Sequence, residues 1–461
     1  MMKKIALFCA FFICLLAVKA QTPLNMTLLG RWDDDALPLA PSLSLQYSGC
    51  WGMALDGHEY AVLGGALHVL FFDITNPTQP ELIGKFEGKQ TTLWREFKSY
   101  KNRIYAVSDQ TEEGLMIFDM SQAPDTIIRT YYSNEFFLRS HTITLDTVSG
   151  RIYLNGTNAQ SQGIMVLDIS QNPDQPTLLA AVDLPGGYIH DSYVRNDTLY
   201  ASSGFEGYFV FDFKTNPQQP KLIAQTSTSG YNHNSWLNTA GTHAYYTEEI
   251  PDGKPVRVVD LQKMNIGVIE PVGAVLDSFL TGSERKPIPH NVYIKDNFLF
   301  NSQYEDGLLV YDISNPVDPI LVGHYDTHPQ NTVYNTYYGN WGNYPWLPSG
   351  NIICGDMQNG LHILRFMPPV SVDTPQQPKL EASLMPNPAG AYTRVQLQDA
   401  PSGWQLQLMN YSGQILATQQ FEAGIKEARL NLQGLPTGLY FVELRAENGA
   451  SSYQLSVISQ Q

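Results

Sequence analysis

The chain has 461 residues, 43% hydrophobic and 16% charged, and its apolar share excludes disorder for most of the length. Aromatics at 11%, led by 26 Tyr, favour strands over helical bundles and coiled coils. Only 28 Lys and Arg face 44 Asp and Glu, and the net charge of −16 excludes a nucleic-acid partner held by neutralised phosphates.

At the N-terminus, Lys3 and Lys4 precede an apolar run from Ile5 to Val18, followed by Val18-Lys19-Ala20. A charged start, a short apolar stretch and an Ala-x-Ala-like site predict a signal peptide over residues 1–20, with the mature chain starting at Gln21. The run is too short to span about 30 Å of hydrocarbon, so no transmembrane anchor is expected.

A repeat of about 48 residues then dominates the chain. Phe-Phe-Asp-Ile-Thr-Asn-Pro ends at Pro77, and related segments end at Pro124, Pro173, Pro217 and Pro316. Asp73, Asp119, Asp168, Asp212, Asp260 and Asp312 mark six copies, and Arg365 takes the Asp position in a seventh. Each copy reads as three short strands, an Asn-Pro turn and a fourth strand; the Asp is expected to accept backbone N–H bonds in that turn. Four antiparallel strands per repeat is the blade of a β-propeller. The seventh copy stops after its third strand, at Phe366, while Leu28-Leu29-Gly30-Arg31-Trp32-Asp33 resembles the fourth strand Leu82-Ile83-Gly84-Lys85-Phe86-Glu87. The fold predicted for residues 21–366 is therefore all-β, a seven-bladed propeller closed by an N-terminal strand.

Counting back from the end of each first strand places His141, His190, His233, His290 and Trp51 at equivalent positions, with Trp94 filling blade two and Trp341 or Asn343 blade seven. First strands line a propeller's axis, so these side chains, with Arg95, are expected at one mouth of the channel. Second-strand ends such as Ser108-Asp109 and Glu248-Glu249 return to it. Three readings follow. The histidines hydrogen-bond the neighbouring blade's backbone; or His141, His190 and His233 hold a transition-metal ion, with Glu248 or Glu249 as base of a metal-dependent enzyme; or the mouth binds a glycan, peptide or protein, with Trp51, Trp94, Tyr344 and Trp346 as platforms. Cys50 and Cys354 fall on adjacent blades, where a disulfide or two buried free thiols are both open. No Gly-x-Ser-x-Gly, His-Glu-x-x-His or Cys-x-x-Cys motif marks catalytic chemistry.

A Pro-rich spacer over residues 367–381 leads to short alternating strands with turns at Tyr411-Ser412-Gly413 and Pro436-Thr437-Gly438, predicting a small β-sandwich over 382–461. Met385-Pro386-Asn387-Pro388-Ala389, Met409-Asn410-Tyr411-Ser412-Gly413 and Leu435-Pro436-Thr437-Gly438-Leu439-Tyr440 resemble the C-terminal sorting domain of the type IX secretion system. The resemblance implies export across the outer membrane of Bacteroidota-type bacteria by that machinery, after passage through the periplasm, to the surface or the medium. Residues 25–366 in turn resemble the choice-of-anchor B family of secreted LVIVD-repeat propellers, through Cys50-Trp51-Gly52, Leu93-Trp94-Arg95-Glu96, Pro289-His290-Asn291-Val292-Tyr293 and Tyr344-Pro345-Trp346-Leu347-Pro348-Ser349-Gly350-Asn351. That resemblance implies fold and location, with no settled activity and no certain cofactor. The expected protein is a secreted or surface-attached binding propeller, and the metal-dependent enzyme is the alternative.

Overall fold

The computed structural model describes residues 21–458 apart from 281, 336, 370–379, 400–402, 411–413 and 447–448. The expected signal peptide, most of the spacer and the turn at 411–413 lie outside these residues. The chain forms two compact units that part between Pro369 and Val370.

Among the described residues, the first unit contains seven four-stranded antiparallel sheets, an arrangement consistent with a β-propeller. In chain order their first strands are Tyr47–Leu55, Arg95–Tyr100, Thr142–Asp146, Asp191–Arg195, Asn232–Leu237, Asn291–Lys295 and Asn340–Tyr344. Six sheets are built from consecutive strands. The seventh takes its outer strand, Met26–Trp32, from the N-terminus, paired antiparallel with Gly360–Phe366. Buried clusters fill the spaces between neighbouring sheets. One joins Val256 and Val258 of sheet five to Val292 and Leu309 of sheet six, and another joins Leu63 and Phe72 of sheet one to Ile353 and Ile363 of sheet seven. Each such side chain contributes about 1.5–3 kcal/mol by leaving water, so the sheets are held mainly by these shared cores.

The repeat motif is explained by local hydrogen bonding. At Asp73, Asp119, Asp168, Asp212, Asp260 and Asp312 the Oδ1 accepts the backbone N–H two residues on, at 2.8–2.9 Å. Just before that position, in all seven sheets, the pairing of third and fourth strands slips by one residue. The N-terminal strand carries this bulge at Leu29, the counterpart of Ile83 in sheet one, so it behaves as a true fourth strand. In the degenerate fifth copy, Asp260 caps a 3-10 segment, Leu261–Ile266, before the fourth strand Pro271–Val275.

The second unit pairs a three-stranded sheet (Ala382–Met385, Tyr392–Leu397, Glu427–Asn431) with a four-stranded one of order Ile415–Glu422, Gly403–Asn410, Gly438–Ala446, Gly449–Val457. Alternate residues of Tyr392–Leu397 and Glu427–Asn431 are buried, and Val395, Leu406, Leu408, Leu430 and Val442 share one core, as a β-sandwich requires.

Candidate functional site

Four histidines stand just before or within the first strands of sheets three to six. Neighbouring ring centroids are 4.2 Å apart for His141–His190, 4.3 Å for His190–His233 and 4.2 Å for His233–His290, and Trp341 follows His290 at 4.5 Å. The successive interplanar angles are 53°, 48°, 45° and 56°, close to the step of about 51° that a seven-fold arrangement imposes.

Each ring is fixed through Nδ1. His190 bonds the backbone carbonyl of His233 at 3.1 Å, His233 that of His290 at 3.0 Å, and His290 that of Trp341 at 2.5 Å. A carbonyl only accepts, so Nδ1 carries the proton and Nε2 keeps its lone pair. His141 instead donates to Asp109 Oδ2 at 2.9 Å. Burial pushes His190 and His233 well below the ordinary imidazole range and His290 to about 3, so all three are neutral at pH 7. Of the three readings of the histidines, the hydrogen bond to the neighbouring sheet's backbone is the one seen directly.

These rings border a cavity of about 450 Å³ with Trp94, Tyr188, Tyr231, Tyr304 and Trp341 among its walls. Asp109 and Glu249 arrive from second-strand ends, as expected. Burial pushes the Glu249 carboxyl up to about 7, and its Oε1 accepts the Tyr304 hydroxyl at 2.8 Å. Tyr188 sits against His141 where Gly156, at φ +61°, leaves room; a Cβ there would lie 2.6 Å from the Tyr188 hydroxyl oxygen. The tyrosines were missed in the sequence, although Tyr188 and Tyr231 each precede a histidine by two residues, a repeated Tyr-x-His signal.

Other expected residues stand elsewhere. Trp51, Tyr344 and Trp346 line a different cavity of about 480 Å³, with Lys98, Tyr193 and Trp236. A narrow polar space shares the four histidines with the first cavity and Lys98 with the second, so the two lie at opposite ends of it. The reason is a one-residue offset. Leu55 pairs with His58 across the hairpin, where sheets four and six place Arg195 and Lys295, so Cys50 and not Trp51 matches His190 and His290. A slip of one residue sends a strand side chain to the other face.

Arg95 is fully buried and does not reach the cavity. Its guanidinium bonds Glu113 at 2.5 and 3.1 Å, the Gly65 carbonyl at 3.0 Å and the Gln90 carbonyl at 3.0 Å, tying sheets one and two. Glu248 is equally occupied, accepting the Ser229 and Gly230 N–H groups and Arg257. The expected metal trio His141, His190 and His233 does not converge, because the rings follow the curve of the wall. Among the described residues, the group with ligand atoms within 4.8 Å of one another is His233, Glu249 and His290. Cys50 and Cys354 are buried free thiols with no disulfide between them. Cys354 packs with sheet six and Cys50 in the core between sheets seven and one, so they lie on opposite faces of sheet seven.

No helix among the described residues is long and apolar enough to cross a membrane. Residues 289–327 match the LVIVD repeat and span the sixth sheet. No curated protein matches the chain. Residues 383–458 match the secretion system C-terminal sorting domain, the tail read by type IX secretion machinery, and with the LVIVD repeat they mark a repeat β-protein exported to the cell surface or the extracellular space.

Proposed function

We propose that this protein is an exported binding propeller and that its ligand, an uncharged glycan, sits at the histidine mouth. One observation carries the reading: three neutral imidazoles, each tied through Nδ1, offer Nε2 acceptors to a cavity walled by Trp and Tyr rings. Sugar hydroxyls donate to such acceptors, and sugar C–H faces stack on indole and phenol rings. Neutral rings in a chain of net charge −16 give an anionic ligand little attraction. Glu249 beside His233 favours a second reading, metal-dependent chemistry at the same mouth.

The test is a glycan array with the mature protein, followed by titration of the best hit. His190→Asn weakens that hit about tenfold or more, the loss of about one good hydrogen bond in a desolvated site. An array without hits, or a hit whose affinity is unchanged in His190→Asn, overturns the reading. Deletion of residues 382–461 leaves the protein in the periplasm, checked by cell fractionation; unchanged surface delivery contradicts the type IX route.

A further inference from the structure

We propose that the histidine mouth holds a divalent transition-metal ion on His233 Nε2, His290 Nε2 and a Glu249 carboxylate oxygen, with a further coordination position open to the cavity. This deepens the reading of the mouth as the binding site, since an ion there presents a coordination position to a ligand oxygen.

The Nδ1 atoms of His233 and His290 are used by backbone carbonyls, so the nitrogens left to face the cavity are acceptors. Glu249 Oε2 lies 3.8 Å from His233 Nε2, and the three ligand atoms fall within 4.8 Å of one another. Three acceptors facing each other repel unless a proton or a cation stands among them.

The surroundings are those of a metal site. A ligating histidine ordinarily donates its second ring N–H to a carbonyl or carboxylate, which fixes tautomer and orientation. Both histidines do so here, and the Tyr304 hydroxyl gives the Glu249 carboxylate the same support at 2.8 Å. The histidines stand at the starts of first strands in adjacent sheets and cannot shift far. Glu249, just past the end of His243–Glu248, is the ligand able to adjust. Metal–ligand distances of about 2.0–2.2 Å require ligand atoms about 3.3 Å apart, so an ion draws Glu249 Oε2 in from 3.8 Å of His233 Nε2 and closes the remaining separations within 4.8 Å. Two imidazoles and one carboxylate suit zinc, nickel, copper or ferrous iron over magnesium or calcium. Three protein ligands leave a position for an outside oxygen, such as a sugar hydroxyl.

The test uses untagged mature protein, stripped with a chelator and titrated with Zn²⁺, with Co²⁺ absorption as a second readout. One ion binds per chain. Glu249→Gln and His290→Ala each weaken Zn²⁺ about 100-fold, Tyr304→Phe about tenfold, and His141→Ala less than about twofold. Thermal melts identify any variant that fails to fold, and the conservative Glu249→Gln and Tyr304→Phe then decide. No stoichiometric ion below about 100 µM, or affinity unchanged in Glu249→Gln, overturns the proposal. If zinc does not bind while the chelated protein binds glycan, the metal fails and the mouth stands; if chelated and zinc-loaded protein both bind no glycan while zinc binds, the glycan fails and the metal stands.

Discussion

The two ends of the axial space are built from the same first strands yet offer opposite chemistry. At one end, rings step round the wall with their outer nitrogens bound and their inner nitrogens bare. At the other, Trp51 donates its indole N–H to Ser99 Oγ at 3.0 Å and Trp346 to the Ile294 carbonyl at 3.0 Å, so the polar tips are spent. Lys98 lies 4.2 Å over the Trp51 ring, which completes a packed aromatic cluster with Tyr193, Trp236 and Tyr293. A row of aromatic residues in sequence therefore says little until it is known which of their polar atoms remain free. Here the histidine end keeps acceptors available and the tryptophan end keeps faces.

The largest expected effect is on what holds the first end together. Arg95→Ala leaves Glu113 buried without its cation and costs about 3–5 kcal/mol, measured by chemical denaturation. A loss under about 1 kcal/mol would mean the pair does not fix sheets one and two.

Acid separates the ends next, because no histidine among the described residues lines the tryptophan cavity. His190, His233 and His290 have folded pKa values below the unfolded value of about 6.5, so the unfolded chain binds more protons and stability present above that pH is lost as pH falls. Each ring contributes up to about 1.4 kcal/mol per pH unit towards pH 4. Glu249 works the other way, its contribution being full below about 4.3 and lost as pH rises through about 7. His290→Gln removes one ring, and its melts lose stability less steeply between pH 6 and 4 than those of the parent. Equal slopes would contradict a buried neutral His290.

Ligand titration sharpens the contrast further. Trp94→Ala weakens the glycan about tenfold, the worth of one stacking face. Trp346→Phe, at the far end, changes affinity less than about twofold; a larger loss there would move the site.

The repeat was legible because its signals are local. Asp168 bonds an N–H two residues away, and the outer strand of sheet seven is nearly a copy of Leu82–Glu87 in residue type. His190, His233 and His290 were legible for a similar reason, since first strands that end alike start alike. Trp51 was lost because its strand carries the apolar Leu55 where sheets four and six have Arg195 and Lys295, so counting back from the last apolar residue starts one position late. Arg95 occupies its aligned place, but its partner Glu113 is eighteen residues away, on the loop entering a third strand, and only the assembled sheets bring the two together. Glu248 and Glu249 are adjacent in sequence and point to different surroundings, so strand alternation decided between them.

A crystal structure of the mature protein soaked with its best-binding glycan decides which end of the space holds the sugar. The expected result is a sugar ring against Trp94 or Trp341, with a hydroxyl on His190 Nε2 and, where an ion is bound, another on the ion held by His233 and His290. Sugar density among Trp51, Trp236 and Trp346, with the histidine cavity holding solvent alone, would contradict it.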